Sequence, residues 1–418
     1  MIAATHPPVG WQARADTFLD ALRCARSGAY ASSVGGKPTL YGSAYALLTR
    51  YYLGHEHVPD ERVRDFILET QDPESGFFVG PELREWTPKS GAVHDREHLL
   101  LHLTCAVLPV CQQFGWALPG PLLFARRFLD RPWLRNWLDG RDLRSAWLEG
   151  NNILFAGQLL VYLRDVEREP AAQAALDDWF AWLDGRVDPN TGLWGIAEGA
   201  SVADAVYGGY HQLLVYYHEH HPVKHPERLV DAVLPLQHPD GGFAPGGGGG
   251  ACEDVDAVDI LVNLYKLADY RRAEIRWALR RCKRFILSIQ QRDGGFPYGA
   301  TRRHREFSHM GIPATRTLRG TSAMFSTWFR VHTLALISEV LTDDEDLQPA
   351  TLHFSAALSM GWHKGWDKRC HSLSQADLQA EQDAAPGLVW HAKGWARHGA
   401  LLGHRAYLRL RWKLGLHP

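Results

Sequence analysis

A turn made of polar residues, glycine and an aromatic returns along this chain, and that recurrence limits the fold more than any other feature. It reads RSGAY at 26–30, DPESGFF at 72–78, DPNTGLW at 188–194, PDGGF at 239–243 and RDGGF at 292–296, with a degenerate copy, RPWLRNW, expected at 131–137. Helix-like stretches such as RVRDFILETQ, LDDWFAWLDG and RCKRFILSIQQ precede the turns. After a loop comes a second helix, rich in small and apolar residues. These second helices start near Thr39, His94, Glu149, Asp204, Asp254 and Thr321, at spacings of 55, 55, 55, 50 and 67 residues. Self-similarity at such a period marks an array of repeated supersecondary units. Alternating β-branched runs are sparse, so the units read as six helical hairpins and the chain as all-α.

Six hairpins can form an open solenoid or a ring. A solenoid needs polar capping repeats, whereas these second helices are apolar nearly all round, as helices buried on both sides should be. Small residues on them, Gly42, Ser43 and Ala44 or Gly208 and Gly209, allow close helix approach. The expectation is a closed (α/α)6 toroid over residues 1–340, with the second helices inside. Residues 341–418 are expected to form a helical extension packed on it: TDDEDLQPA reads as a linker and HAKGWARHGALLGHRAYLRLRWK as a basic amphipathic helix.

Composition narrows the partners. Forty-five Lys and Arg against 47 Asp and Glu leave a net charge of −2, so no global field favours nucleic acid or an anionic membrane. No apolar run reaches the roughly 18 residues a membrane span needs, and the N-terminus lacks an apolar signal core. A cytoplasmic protein is expected. The six cysteines show neither C-x-x-C pairs nor metal-finger spacing and read as reduced thiols.

LQHPDGGFAPGGGGGACEDVDAVDILVNL, and IQQRDGGFPYG followed by GTSAMFSTWFRVHTLAL, resemble the glycine–aromatic turn and acidic helix start of squalene and oxidosqualene cyclases. Protein prenyltransferase β subunits share such repeats. The resemblance implies an α/α toroid with its ligand in the central cavity: an isoprenoid cyclised by aspartate-mediated acid catalysis, a lyase or isomerase chemistry. The acid motif of those cyclases, D-x-D-D, is incomplete in Asp254-Val255-Asp256-Ala257, with Asp259 two residues on. The zinc-binding order Asp-x-Cys is reversed in Cys252-Glu253-Asp254, so no metal and no cofactor are expected.

Read by themselves, the residues point to a polar, titratable cavity. Cys252, Asp256, Asp259 and Asn263 fall on one helical stripe, and a polar stripe on an apolar helix must face something that solvates it. Crowded carboxylates raise one another's pKa, which suits Asp256, Asp259 and Asp254 to acid catalysis. The alternative is that Glu253 and Asp254 cap the helix and the others form salt bridges. Asp95, His98, His102 and Cys105 form a second stripe, in which His98 and His102 either pack structurally or hold a metal. Asn151 and Asn152 open the third inner helix; Asp204, Tyr207 and His211 line the fourth. Phe243, Phe296, Trp328 and Tyr207 are the candidate aromatics for cation stabilisation, or else they pack between repeats.

The loop at 301–320 carries Arg302, Arg303, Arg305, Arg316 and Arg319 with His304 and His309; its arginines either bind phosphate or carboxylate or neutralise the nearby aspartates. Two other readings compete with the cyclase. One is a carbohydrate-active barrel: a glycosidase using Asp256 and Asp204, or a uronate lyase using Asn151, Tyr207, His211 and an arginine. The other is a non-catalytic toroid that binds a small molecule. Cavity character separates the first two, because a lipid prefers an apolar aromatic lining and a sugar a polar one.

Overall fold

The computed structural model describes residues 10–55, 59–84, 86–90, 92–300, 306–347 and 358. Six long helices are buried along most of their length: α2 (Leu40–Tyr52), α5 (Arg96–Gln113), α7 (Ala146–Asp165), α9 (Val202–Glu219), α11 (Ala251–Leu267) and α13 (Met324–Ser338). Shorter or more amphipathic helices alternate with them: α1 (Trp11–Leu22), α3 (Glu61–Leu68), the one-turn α4 (Pro81–Arg84), α6 (Arg131–Asp139), α8 (Ala172–Asp184), α10 (Pro226–Val233) and α12 (Arg272–Ser288). The one sheet among the described residues is a hairpin, β1 (Glu306–Phe307) against β2 (Thr317–Leu318). No helix of the described residues is long and apolar enough to cross a membrane. The proposed C-terminal extension lies outside the described residues, apart from its first residues up to Leu347 and Leu358.

The buried helices pack in chain order, α2 on α5, α5 on α7, α7 on α9, α9 on α11 and α11 on α13, and α13 returns to α2. Trp11 at the start of α1 also meets the last repeat. Trp11 Nε1 donates to the Asp346 carbonyl at 2.8 Å, and Gln290 Nε2 donates to the Trp11 carbonyl at 2.9 Å. Between α7 and α9 the backbones themselves touch: a Cβ on Gly208 would stand 2.3 Å from the Ala146 carbonyl oxygen. The small residues noted on these helices therefore set the tightest crossing.

The recurring turns have one job throughout. Gly28, Gly76, Gly192, Gly241 and Gly294 all adopt positive φ, which glycine reaches without steric cost. Gly294 also packs so closely on α1 that a Cβ would fall 1.8 Å from the Arg14 carbonyl oxygen. The turn's aromatic then points inward, and its backbone N–H is taken by a side chain of the next buried helix: Tyr30 by Ser43, Phe78 by Thr104, Phe296 by Thr327 and Phe243 by Asp254. Each junction satisfies a buried donor that would otherwise be costly. The third turn departs from expectation: 131–137 lies within α6, capped by Asp130, whose side chain accepts from Trp133 N.

Helix starts also differ in detail. Thr39, Asp95 and Ser201 are the side-chain caps, while Glu149, Asp204 and Asp254 sit one turn inside, where carboxylates still favour the positive end of the dipole. The start of α2 receives a second cap from the neighbouring repeat: Glu82 accepts from Leu40 N at 3.0 Å and Tyr41 N at 2.9 Å.

Candidate active site

The N-terminal turns of the buried helices surround a cavity of about 550 Å³. Trp147, Leu148 and Asn151 come from α7, Asp204 and His211 from α9, Cys252 and Asp256 from α11, and Phe325 and Phe329 from α13. His102 enters from α5, His94 from the segment before it, and residues 307–311 from the hairpin; Arg144 and Ser145 stand beside the start of α7.

Asp256 is 1% exposed, and its Oδ2 has no hydrogen-bond partner. Burial, followed by the nearby Glu253, Asp259 and Asp254 carboxylates, pushes its pKa well above the usual range, with the Trp147 indole pulling weakly the other way. Its surroundings therefore favour the protonated acid over the carboxylate. His211 is the opposite case. Its Nδ1 lies 2.7 Å from the Tyr207 carbonyl oxygen, which can only accept, so the proton sits on Nδ1 and Nε2 keeps its lone pair. Burial holds this imidazole down to about 4, so it stays neutral.

Asn151 donates its Nδ2 to the Trp147 carbonyl at 3.2 Å, leaving Oδ1 buried without a partner. His98, His102 and His309 are each held by a neighbour. His98 Nδ1 lies 2.8 Å from Asn152 Oδ1, and Asn152 Nδ2 donates to Glu149 Oε2 at 3.0 Å. Tyr41 Oη lies 2.9 Å from His102 Nδ1, and Tyr45 Oη lies 3.1 Å from His309 Nε2. Both rings are held through Nδ1, and among the described residues no trio of ligand atoms gathers around His98 and His102. Among the described residues the one trio of converging ligand atoms is Asp165, His218 and Glu219, at the far ends of α7 and α9, where Arg164 already bonds both carboxylates.

Of the residues singled out in the sequence, Asp256, His211, Asn151 and Asp204 share the cavity wall. Asp204 sits at the rim and also accepts from Ser201 Oγ at 2.8 Å. Asp254 is turned outward into a fully buried ion pair with Arg330 and accepts from Phe243 N. Asp259 lies one turn deeper than Asp256, bonded to Asn263 Nδ2 at 3.1 Å. Tyr207 donates to the Phe243 carbonyl at 2.8 Å, away from the cavity. Phe243 and Phe296 are buried at their turns, and Trp328 stacks on Tyr45 at 4.0 Å between ring centroids. Arg302, Arg303, His304 and Arg305 lie outside the described residues. Arg316 pairs with the exposed Glu306 at 3.7 Å, and Arg319 lies over the Tyr298 ring. Trp147 was missed as a site residue, and His309 was noted in the 301–320 loop without a place at the cavity. The signal for Trp147 was its place one turn before Asn151; that for His309 was the long spacing of the last repeat.

The buried histidines make stability pH-dependent. Burial lowers His94 and His211 to about 4 and His309 to about 3. The unfolded chain binds protons on these groups below an ordinary value of about 6.5, and the folded chain resists them. The stabilisation is complete above that value and is lost as the pH falls toward the folded pKa. The urea midpoint should be level from about pH 8 to 7 and should drop steadily from about 6.5 to 4. A level midpoint across the lower window would contradict neutral buried imidazoles.

No protein-family description and no curated protein matches this chain. Among solved structures, a polysaccharide lyase is similar at 12% sequence identity and a TM-score of 0.43, over 73% of this chain and 90% of that one. A likeness that distant carries no inference about activity.

Proposed function

We propose that the cyclic packing of the buried helices is a closed α/α toroid and that its cavity is the active site of a carbohydrate-active enzyme. The observation that carries this reading is the set of buried, unpartnered polar atoms on residues of the cavity wall, among them Asn151 Oδ1 and Asp256 Oδ2 beside His94 Nδ1. Sugar hydroxyls can satisfy them. A hydrocarbon would leave each unpaired. The aromatic faces of Trp147, Phe325 and Phe329 suit stacking against sugar rings.

The chemistry is proton transfer. His211 Nε2 is placed to accept a proton and the Asp256 carboxyl to give one, and environments that push two such groups apart are how a site assigns base and acid. Activity should fall below about pH 4 as His211 becomes protonated, and fall again at high pH as Asp256 ionises. The isoprenoid reading keeps one specific support: the Asp256 carboxyl, its pKa raised by burial, lies beside aromatic side chains, as alkene protonation requires.

The test is turnover by the full chain and by Asp256→Asn on sodium alginate, hyaluronan and xylan, alongside squalene and geranylgeranyl diphosphate. The expected outcome is new chain ends from one polysaccharide, abolished in the variant. A cyclised hydrocarbon product instead would sink the carbohydrate reading.

A further inference from the structure

The last repeat is 67 residues long between helix starts where the first three spacings are 55, and the surplus contains the β1–β2 hairpin. Its tip does not stand off the surface. His309 is 5% exposed, bonds to Tyr45 Oη, stacks on Phe325 at 4.0 Å between centroids, and meets the rings of Tyr41 and His102 edge-on at 4.8 and 5.2 Å. One loop residue thus touches α2, α5 and α13 together. Five consecutive residues, Phe307 to Gly311, line the cavity, so the insertion forms a whole wall of it. Met310 holds a left-handed conformation at φ 52°, which packing on both sides must sustain.

We infer that this hairpin wall, anchored by His309, makes the site a pocket for the end of a glycan chain instead of a cleft that a polymer crosses. The inference rests on the carbohydrate reading for its substrate and on packing alone for the wall. A chain cleaved internally must enter on one side of the reacting bond and leave on the other. A wall of five residues along one side closes one of those two routes, and about 550 Å³ suits a short ligand.

Phe307 pairs with Thr317, so replacing residues 308–316 by Gly-Gly joins the two strands through a two-residue turn and removes the wall while keeping the ladder. Cys252 on the cavity wall reports access without any substrate, in a Cys24→Ser, Cys370→Ser background whose remaining described cysteines are buried. Burial raises the Cys252 thiol pKa, so the full-length protein should take iodoacetamide slowly at Cys252 and exclude methyl-PEG-maleimide, and trimming should speed the larger reagent roughly tenfold or more. Equal labelling before and after trimming overturns the wall.

On alginate, hyaluronan or xylan, whichever is turned over, the intact protein should release mono- or disaccharides from the start with slow loss of viscosity. The trimmed variant should shift toward longer fragments. Rapid viscosity loss with the intact protein overturns chain-end selection. Labelling as expected with none of the three polymers cut would defeat the carbohydrate reading, and chain-end selection with it, while the wall itself would stand.

Discussion

Replacing His211 by asparagine should lower kcat by about 10²–10⁴-fold with little change in the unfolding midpoint. The choice of asparagine matters. Its amide N–H can take over the bond that His211 Nδ1 donates to the Tyr207 carbonyl, so the helix and the buried acceptor stay satisfied. What disappears is Nε2, the lone pair that this hydrogen bond leaves free. Because Asn151, Trp147 and Asp256 remain on the wall, KM should change far less than kcat. The measurement is steady-state kinetics on the polysaccharide turned over, with urea unfolding alongside. A variant within a few-fold of the parent kcat would remove His211 from the chemistry.

The second large effect is on stability. Arg330 on α13 and Asp254 on α11 are both fully buried and bonded to one another, and Arg330 Nη2 also donates to the Tyr298 carbonyl at 2.9 Å. Arg330→Met would strand the Asp254 carboxylate in the protein interior, which typically costs about 3–5 kcal/mol. Adding Asp254→Asn should restore much of that loss, because the second change removes the stranded charge while an amide oxygen can still accept from Phe243 N. Urea titrations of both single variants and the double variant measure the coupling. Additive losses would mean that the pair is not the clasp between α11, α13 and the fourth glycine–aromatic turn.

The same aspartates show how far a sequence can be read. Asp254, Asp256 and Asp259 look alike as a crowded acidic helix start. On a helix each residue turns by about 100°, so positions two apart face nearly opposite ways and positions three apart share a side one turn deeper. Asp256 therefore reaches the cavity, Asp254 points outward to Arg330, and Asp259 lies below, bonded to Asn263. The spacing was visible in the sequence. Which of the opposed directions was the cavity depended on how α11 packs between α9 and α13.

The helical hairpins, their period and the turn glycines were legible because they are local. A positive-φ glycine and an apolar helix follow from neighbouring residues, and the repeat multiplies the signal. The convergence on one cavity of Asn151, Asp204, His211 and Asp256 followed from reading polar residues on otherwise apolar helices. Tyr207 failed the same rule because a Tyr hydroxyl on a long arm can be satisfied elsewhere, here by the Phe243 carbonyl. His309 carried no periodic signal, since it lies in an inserted hairpin whose contacts with Tyr41, Tyr45 and His102 span more than two hundred residues of chain. Sequence by itself determined the repeat, the turns and the helices, because those obey local sterics and burial patterns. Tertiary structure decided the tautomer of His211, the burial that raises the Asp256 pKa and the wall made by His309, because burial and a partner's position across the ring set those, and neither is written in neighbouring residues.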